Sequence, residues 1–285
     1  MCSSLTQINI PSSVTLIEEF AFNKCTSLTQ INIPLSVTSI GDGAFTKCLS
    51  LKQIIIPPSV ISLGNFAFNE IAEKTQILIP SSIIKMKDFD LKRASNMTEI
   101  SIPLSLSSIG SYAFLRFKLL QKISIPSSVT SIESNAFNEC SSLTEVLIPS
   151  SVTLIGEFSF FKCTSLKQIS IPSSVTTIEY ASFDECKSLS QVTFESPSSL
   201  KSIKFRAFAF CESLKQITIP SSIESIEMAF NCCKSLRQVT FEVPSSISKI
   251  DDNIFYNCPS LMQITIPSHL TKKIKVGLKV KVKKV

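Results

Sequence analysis

The chain has 285 residues, 44% hydrophobic and 18% charged, a balance that buries a sizeable core and excludes a disordered chain. One histidine excludes most histidine-based metal and catalytic sites. The net charge of +6 sits at one end: residues 272–285 hold seven lysines and no acid, so the body has no field to steer it toward nucleic acid or a membrane.

No apolar run reaches the length of a membrane span, so no transmembrane segment is expected. Met1-Cys2-Ser3-Ser4 lacks the basic and apolar regions of a signal peptide. A ruler runs along the rest. Pro11, Pro34, Pro57, Pro80, Pro103, Pro126, Pro149 and Pro172 recur every 23 residues. Pro197, Pro220, Pro244 and Pro267 continue the series, with small insertions (Glu195-Ser196, Glu242-Val243) and one deletion shifting the phase. A period in this range indicates a solenoid. Twelve repeats predict one solenoid over residues 1–271 and a lysine-rich capping strand or tail over 272–285.

One unit reads Leu28-x-x-Ile31-x-Ile33-Pro34-x-x-Val37-x-x-Ile40-x-x-x-Ala44-Phe45-x-x-Cys48. Its opening alternates at period two, which predicts a short strand with one buried face. Proline then ends the strand, having no N–H for a ladder. The Ser-Ser or Leu-Ser pair that commonly follows suits a turn. Beyond it the apolar spacing is irregular, which predicts a tight return of short 3₁₀ or extended pieces and no full helix. No unit buries its own apolar side; stacking does, strand on strand. Phe22, Phe45, Phe68, Phe114, Phe137, Phe160, Phe183, Phe208, Phe230 and Phe255 share one phase, with Leu91 standing in once, and predict a buried stack of rings.

The units from Cys25 (CTSLTQINIPLSVTSIGDGAF) and from Cys163 (CTSLKQISIPSSVTTIEYASF) resemble the BspA-like class of leucine-rich repeats, over residues 1–270. The resemblance implies a leucine-rich repeat solenoid, mainly β, with a parallel sheet on the concave face and short return segments on the convex face. It also implies a non-catalytic binding or adhesion role. The family's better-known members are surface or secreted proteins that adhere to host matrix proteins such as fibronectin, or to other cells. An intracellular scaffold for protein–protein interaction is the alternative, consistent with the missing signal peptide and abundant cysteine.

Nine cysteines (Cys2, Cys25, Cys48, Cys140, Cys163, Cys186, Cys211, Cys233 and Cys258) share one phase, a slot that holds Ile71, Ala94 and Phe117 elsewhere. A slot that accepts any apolar residue reads as core, with cysteine as a small buried hydrophobe; neither a disulfide array nor a zinc site is expected. Cys232, out of phase, is the one candidate exposed thiol. His269 replaces the second serine after Pro267, without a partnered nucleophile. Gly41-Asp42-Gly43 lacks the later glycine and lysine of a phosphate loop. Asn96-Met97-Thr98 is a glycosylation sequon that matters only on export. No enzyme activity, metal or cofactor is expected.

Within each strand, the residue before the first Ile and the one between the two face outward. The first is glutamine in nine repeats (Gln7, Gln30, Gln53, Gln76, Gln168, Gln191, Gln216, Gln238 and Gln263), which predicts an amide ladder along the sheet. Three consecutive repeats replace it with Glu99, Lys122 and Glu145; the second outward row turns apolar at Ile55, Leu78 and Leu147. These six form the candidate patch for a protein ligand. The competing reading is drift, since residues 69–98 are degenerate elsewhere, with Lys74 in the leading Leu slot and Asp90 in the Ala slot. Residues 274–283 alternate strictly, which favours a capping strand over a polybasic arm. The first coil opens at Cys2 with its apolar edge uncapped, where either a longer native chain or a stacking partner is expected.

Overall fold

The structure is a computed structural model and describes residues 2–64, 67–71, 75–78, 99–102, 104, 106–270, 274 and 280–285. Lys74, Asp90, Leu91, Ala94, the Asn96-Met97-Thr98 sequon and residues 275–279 of the tail lie outside the described residues.

Each L-x-x-I-x-I segment forms a strand, because alternation turns both isoleucines inward and leaves the intervening side chains in water. Twelve such strands run from Gln7–Asn9 to Gln263–Ile266. They pair in parallel and stack like on like: Gln7 on Gln30, Gln30 on Gln53, Gln168 on Gln191, Gln216 on Gln238. This main sheet has three stretches: seven strands up to Glu145–Leu147, then Gln168–Ile171 with Gln191–Phe194, then the strands from Gln216–Ile219 onward. Lys281–Lys284 extends the last stretch, parallel to Gln263–Ile266, with Val282 continuing the Ile264 column.

After the strand, the proline carbonyl closes a turn on the valine two serines later; the Val152 N–H bonds the Pro149 oxygen at 3.0 Å. The second serine reaches the previous coil: Ser36 Oγ donates to the Val14 carbonyl at 2.6 Å and Ser151 Oγ to that of Val129 at 2.6 Å.

The return is extended, as one of the two sequence options held. Ten two-residue strands, from Leu16–Ile17 to Lys249–Ile250, build a second parallel ladder in two stretches, in which the inner residue, Leu63 in one strand and isoleucine in the others, continues an apolar column. Among the described residues the single helical element is the 3₁₀ turn Ser268–Leu270. The chain then runs through consecutive turns around the phenylalanines. In most coils the residues two positions before and after the ring are left-handed, while at Phe230 and Phe255 only the following one is, Cys232 and Asn257. Tyr112 and Arg116 flank Phe114 with φ of 62° and 63°, and Asn135 and Glu139 flank Phe137 with 60° and 59°. Left-handed backbone costs about 1–2 kcal/mol per ordinary residue. Here it aims N–H groups at the next coil: Tyr112, Phe114 and Arg116 donate to Ser134, Ala136 and Asn138 at 3.1, 2.7 and 2.7 Å. These bonds form a third ladder that offsets the strain. Glycine takes one of the positions, Gly43 (φ 59°), where a Cβ would meet the Phe20 ring.

The phenylalanines stack inside this frame. Rings of Phe137, Phe160 and Phe183 lie 5.1 and 5.2 Å apart, with planes within 9°. All of that column except Phe22 is buried among the described residues. The spacing is that of the strands, so ring stacking and backbone hydrogen bonding reinforce one another.

Candidate functional site

The outward glutamines stack in register but do not form the expected amide ladder. Among the described residues no hydrogen bond joins one amide to the next; Gln191 Nε2 lies 3.5 Å from Thr193 Oγ1 on its own strand. Exposed amides are satisfied by water, so the sheet offers donors and acceptors that a ligand can engage.

The six candidate residues fall on five consecutive strands of one hydrogen-bonded stretch. Ile55 pairs with Leu78, and Lys122 pairs with Glu99 on one side and Glu145 on the other. Four strand steps span about 19 Å. Ile55 is 56% exposed and Leu147 68%, beside exposed Lys122 and half-exposed Glu145. The side chains of Leu78 and Glu99 lie outside what the structure describes. The register thus brings the six positions onto adjacent strands, Ile55 paired with Leu78 at one end and the sequence Glu99, Lys122, Glu145 leading to Leu147 at the other.

A second feature escaped the sequence reading. The main sheet parts between Gln191–Phe194 and Gln216–Ile219. At this register Ser190 N–H bonds the Lys167 carbonyl at 2.9 Å and Arg237 N–H bonds that of Lys215 at 2.8 Å, whereas the bond from Lys215 to Ser190 is missing. The return ladder stays closed beneath, with Thr177 on Ser202 and Ser202 on Ser225, and the Phe183–Phe208 rings remain stacked at 5.3 Å. Only the outer face opens. The resulting cleft holds about 630 Å³, walled by both strands, by the turn Glu195–Ser198 and by Glu242. Its carboxylates are braced: Glu195 accepts from Ser170 Oγ at 3.2 Å and Glu242 from the Ser221 N–H at 3.1 Å. The insertion Glu195-Ser196 builds one wall. Spacing alone does not mark the cleft, because Gln238 and Gln263 are separated by the same 25 residues and remain paired.

The family model of BspA-type leucine-rich repeat regions matches residues 1–94, 90–198 and 194–276. The chain belongs to the BspA-type leucine-rich repeat family. Among solved structures it is similar to a leucine-rich repeat protein from Bacteroides ovatus, at 26% identity and a TM-score of 0.54, covering 100% of this chain and 85% of that one. The pneumococcal vaccine antigen PcpA shares the fold at 18% identity and a TM-score of 0.51, over 99% of this chain and 69% of that one. A leucine rich cell surface protein from Faecalibacterium prausnitzii aligns at 25% identity with a TM-score of 0.44, over 96% of this chain and 92% of that one. No curated protein sequence matches.

In this BspA-type chain the cysteine column has a structural task. From Cys48 onward the in-phase thiols donate to the carbonyl of the phenylalanine in the preceding coil: Cys140 to Phe114 at 3.0 Å, Cys163 to Phe137 at 3.2 Å, Cys186 to Phe160 at 3.2 Å. Burial pushes the Cys48 thiol up to about 12, and raises Cys140, Cys163, Cys186 and Cys211 further, so these remain protonated donors. All ten cysteines are free. Cys232, expected to be exposed, is 8% exposed: its left-handed backbone tucks the side chain against Asn257, whose Nδ2 lies 3.4 Å from the sulfur. The exposed thiol is Cys2. His269 does what the second serine does in other coils, its Nε2 lying 3.2 Å from the Ile247 carbonyl in the preceding one. Asp184, 1% exposed, accepts from Arg206 Nε at 2.7 Å; burial raises its carboxyl, and the guanidinium pulls the other way. Among the described residues no three His, Cys, Asp or Glu side chains gather to hold a metal, and no helix is long and apolar enough to cross a membrane.

Proposed function

We propose that this chain is a non-catalytic binding module that recognises a protein through its main sheet, with a host matrix or cell-surface protein as ligand and Ile55, Leu78, Glu99, Lys122, Glu145 and Leu147 as the contact patch. The observation that carries this reading is the exposure of Ile55 and Leu147, 56% and 68%, in a row that is otherwise mostly Asn, Ser or Thr. Each such side chain contributes about 1.5–3 kcal/mol when a partner covers it. The row of alternating charge between them favours a partner of matching pattern and disfavours others. On the same reading Lys281–Lys284 caps the last coil, and its edge lysines oppose addition of another strand.

The test measures binding to immobilised matrix proteins, fibronectin among them, for the native chain and for the triple variant Ile55→Ser, Lys122→Glu, Leu147→Asn. At least one matrix protein is retained by the native chain, and the variant weakens that binding by about a hundredfold with its circular dichroism unchanged. Equal affinity of the two chains removes the patch. Failure of the native chain to bind any matrix protein removes that ligand class.

A further inference from the structure

We propose that the cleft between Gln191–Phe194 and Gln216–Ile219 is a binding site for a neutral oligosaccharide, separate from the six-residue patch. The argument starts from the space. A volume of about 630 Å³ lies within the range of small-ligand sites, and it opens in the sheet while the core beneath stays closed.

The walls then decide the chemistry. An inserted peptide strand needs about 4.8 Å on each side, and the Cα atoms of the two strands still approach within 8 Å. Nothing therefore enters between the backbones, and a ligand lies across the outward side chains. An anion meets Glu195 and Glu242 against the single ammonium of Lys215. An apolar ligand meets amides and hydroxyls, Gln191, Thr193, Gln216 and Thr218, on the outward positions of both strands. A sugar fits all of these. Each of its hydroxyls donates and accepts at once, as the amide and hydroxyl walls do, and can bridge groups on the parted strands as water would. The carboxylates, already fixed by Ser170 and by the Ser221 N–H, keep further lone pairs for hydroxyl donors, and such charge-assisted bonds are the strong ones. Phe194, half-buried against the core, supplies an apolar wall for the C–H face of a ring.

Titration calorimetry of the full chain with maltotriose, lactose and chitotriose tests this, with sialyllactose as the anionic control. Binding of at least one neutral sugar is expected, weaker or absent for sialyllactose. Gln216→Ala and Glu195→Ala each weaken it by about tenfold, the effect of one lost hydrogen bond to a ligand. Gln30→Ala, on the same outward row at the far end of the sheet, leaves it unchanged. No heat from any neutral sugar at about 10 mM, where even a Kd of order 1 mM is detected, overturns the proposal. So does binding that Gln216→Ala and Glu195→Ala do not alter, or that Gln30→Ala alters equally. The matrix-protein patch is untouched by all three variants, so the two proposals stand or fall separately.

Discussion

Removing one ring from the phenylalanine column measures how far neighbouring coils depend on each other. Phe160 is fully buried, with Phe137 at 5.1 Å and 9° on one side and Phe183 at 5.2 Å and 3° on the other. Phe160→Ala deletes the side chain and both stacking contacts. Truncating a buried Phe costs about 3–5 kcal/mol, and each aromatic pair contributes about 0.5–1.5 kcal/mol beyond area burial. Collapse of the site is opposed from both sides. The Phe137 N–H is tied to the Ser159 carbonyl at 2.7 Å and the Phe160 N–H to that of Ser182 at 2.8 Å, so the coils cannot close over the cavity. The cost therefore falls near the top of the range, at about 5 kcal/mol. Phe255 is the comparison: one ring contact, at 6.1 Å and 27°, and 7% exposure. Phe255→Ala is expected near the low end, about 3 kcal/mol. Urea denaturation followed by circular dichroism, with hydrogen exchange to locate the coils that open, reads both. Equal destabilisation by the two variants, or an exchange effect at Phe160 confined to its own coil, refutes the stacking argument.

The thiol column and the left-handed turns give two further tests. With the Cys48 pKa pushed to about 12, only about one part in 10⁴ is thiolate at pH 8, so iodoacetamide labels Cys2 first and reaches Cys48, Cys140, Cys163 and Cys186 only on unfolding. Raising the pH toward 12 should bring Cys48 into reaction ahead of the more deeply buried three; prompt labelling of Cys163 in the native chain contradicts the hydrogen-bonded column. Lys24 sits at φ 60° with its N–H on the Thr46 carbonyl at 2.8 Å. Lys24→Gly should leave stability level or slightly raised, and Lys24→Val should lower it by about 1–2 kcal/mol, since a β-branched side chain fits left-handed backbone worst. Equal thermal midpoints for the two variants count against that assignment.

The sequence rendered the frame almost whole, because a stacked coil writes every contact again in each repeat. The proline ruler located all twelve main strands, the phenylalanine phase located the ring column, and the glutamine phase located the register. Features that carry no periodic apolar signal stayed hidden. The return ladder uses two residues per coil, such as Ser131-Ile132, too few to show alternation. The left-handed turns are built mostly from residues such as Lys, Glu, Arg and Phe, whose identity announces no turn where Gly43 or Asn135 would. The inter-coil bonds of Ser151, Cys163 and His269 look unrelated in sequence, yet each spends a side-chain donor on a carbonyl 22 to 26 residues earlier. Of the candidate patch, position and register were legible from the outward phase; the degree of exposure of Ile55 and Leu147 was not, since it depends on how little of each the adjacent coils cover, as with Ser124 beside Leu147.

The same logic explains why the cleft lies where it does relative to the core. Three ladders join most coils: main strands, return strands and the turns around the phenylalanines. Between the coils of Gln191 and Gln216 the return pair Ser202–Ser225 persists, and the turn ladder continues through the Arg206 N–H on the Met228 carbonyl at 3.1 Å. The main ladder alone has let go. Releasing one ladder of three leaves the phenylalanine column dry and stacked, so an opening of this kind forms without unfolding its neighbours. Because the parted backbone groups at the sheet surface are left to water, they gain from any ligand that carries hydroxyls of its own. A solenoid therefore acquires a local site by departing from its repeat on the sheet face, where departure is cheapest, while the opposite face keeps the stack intact.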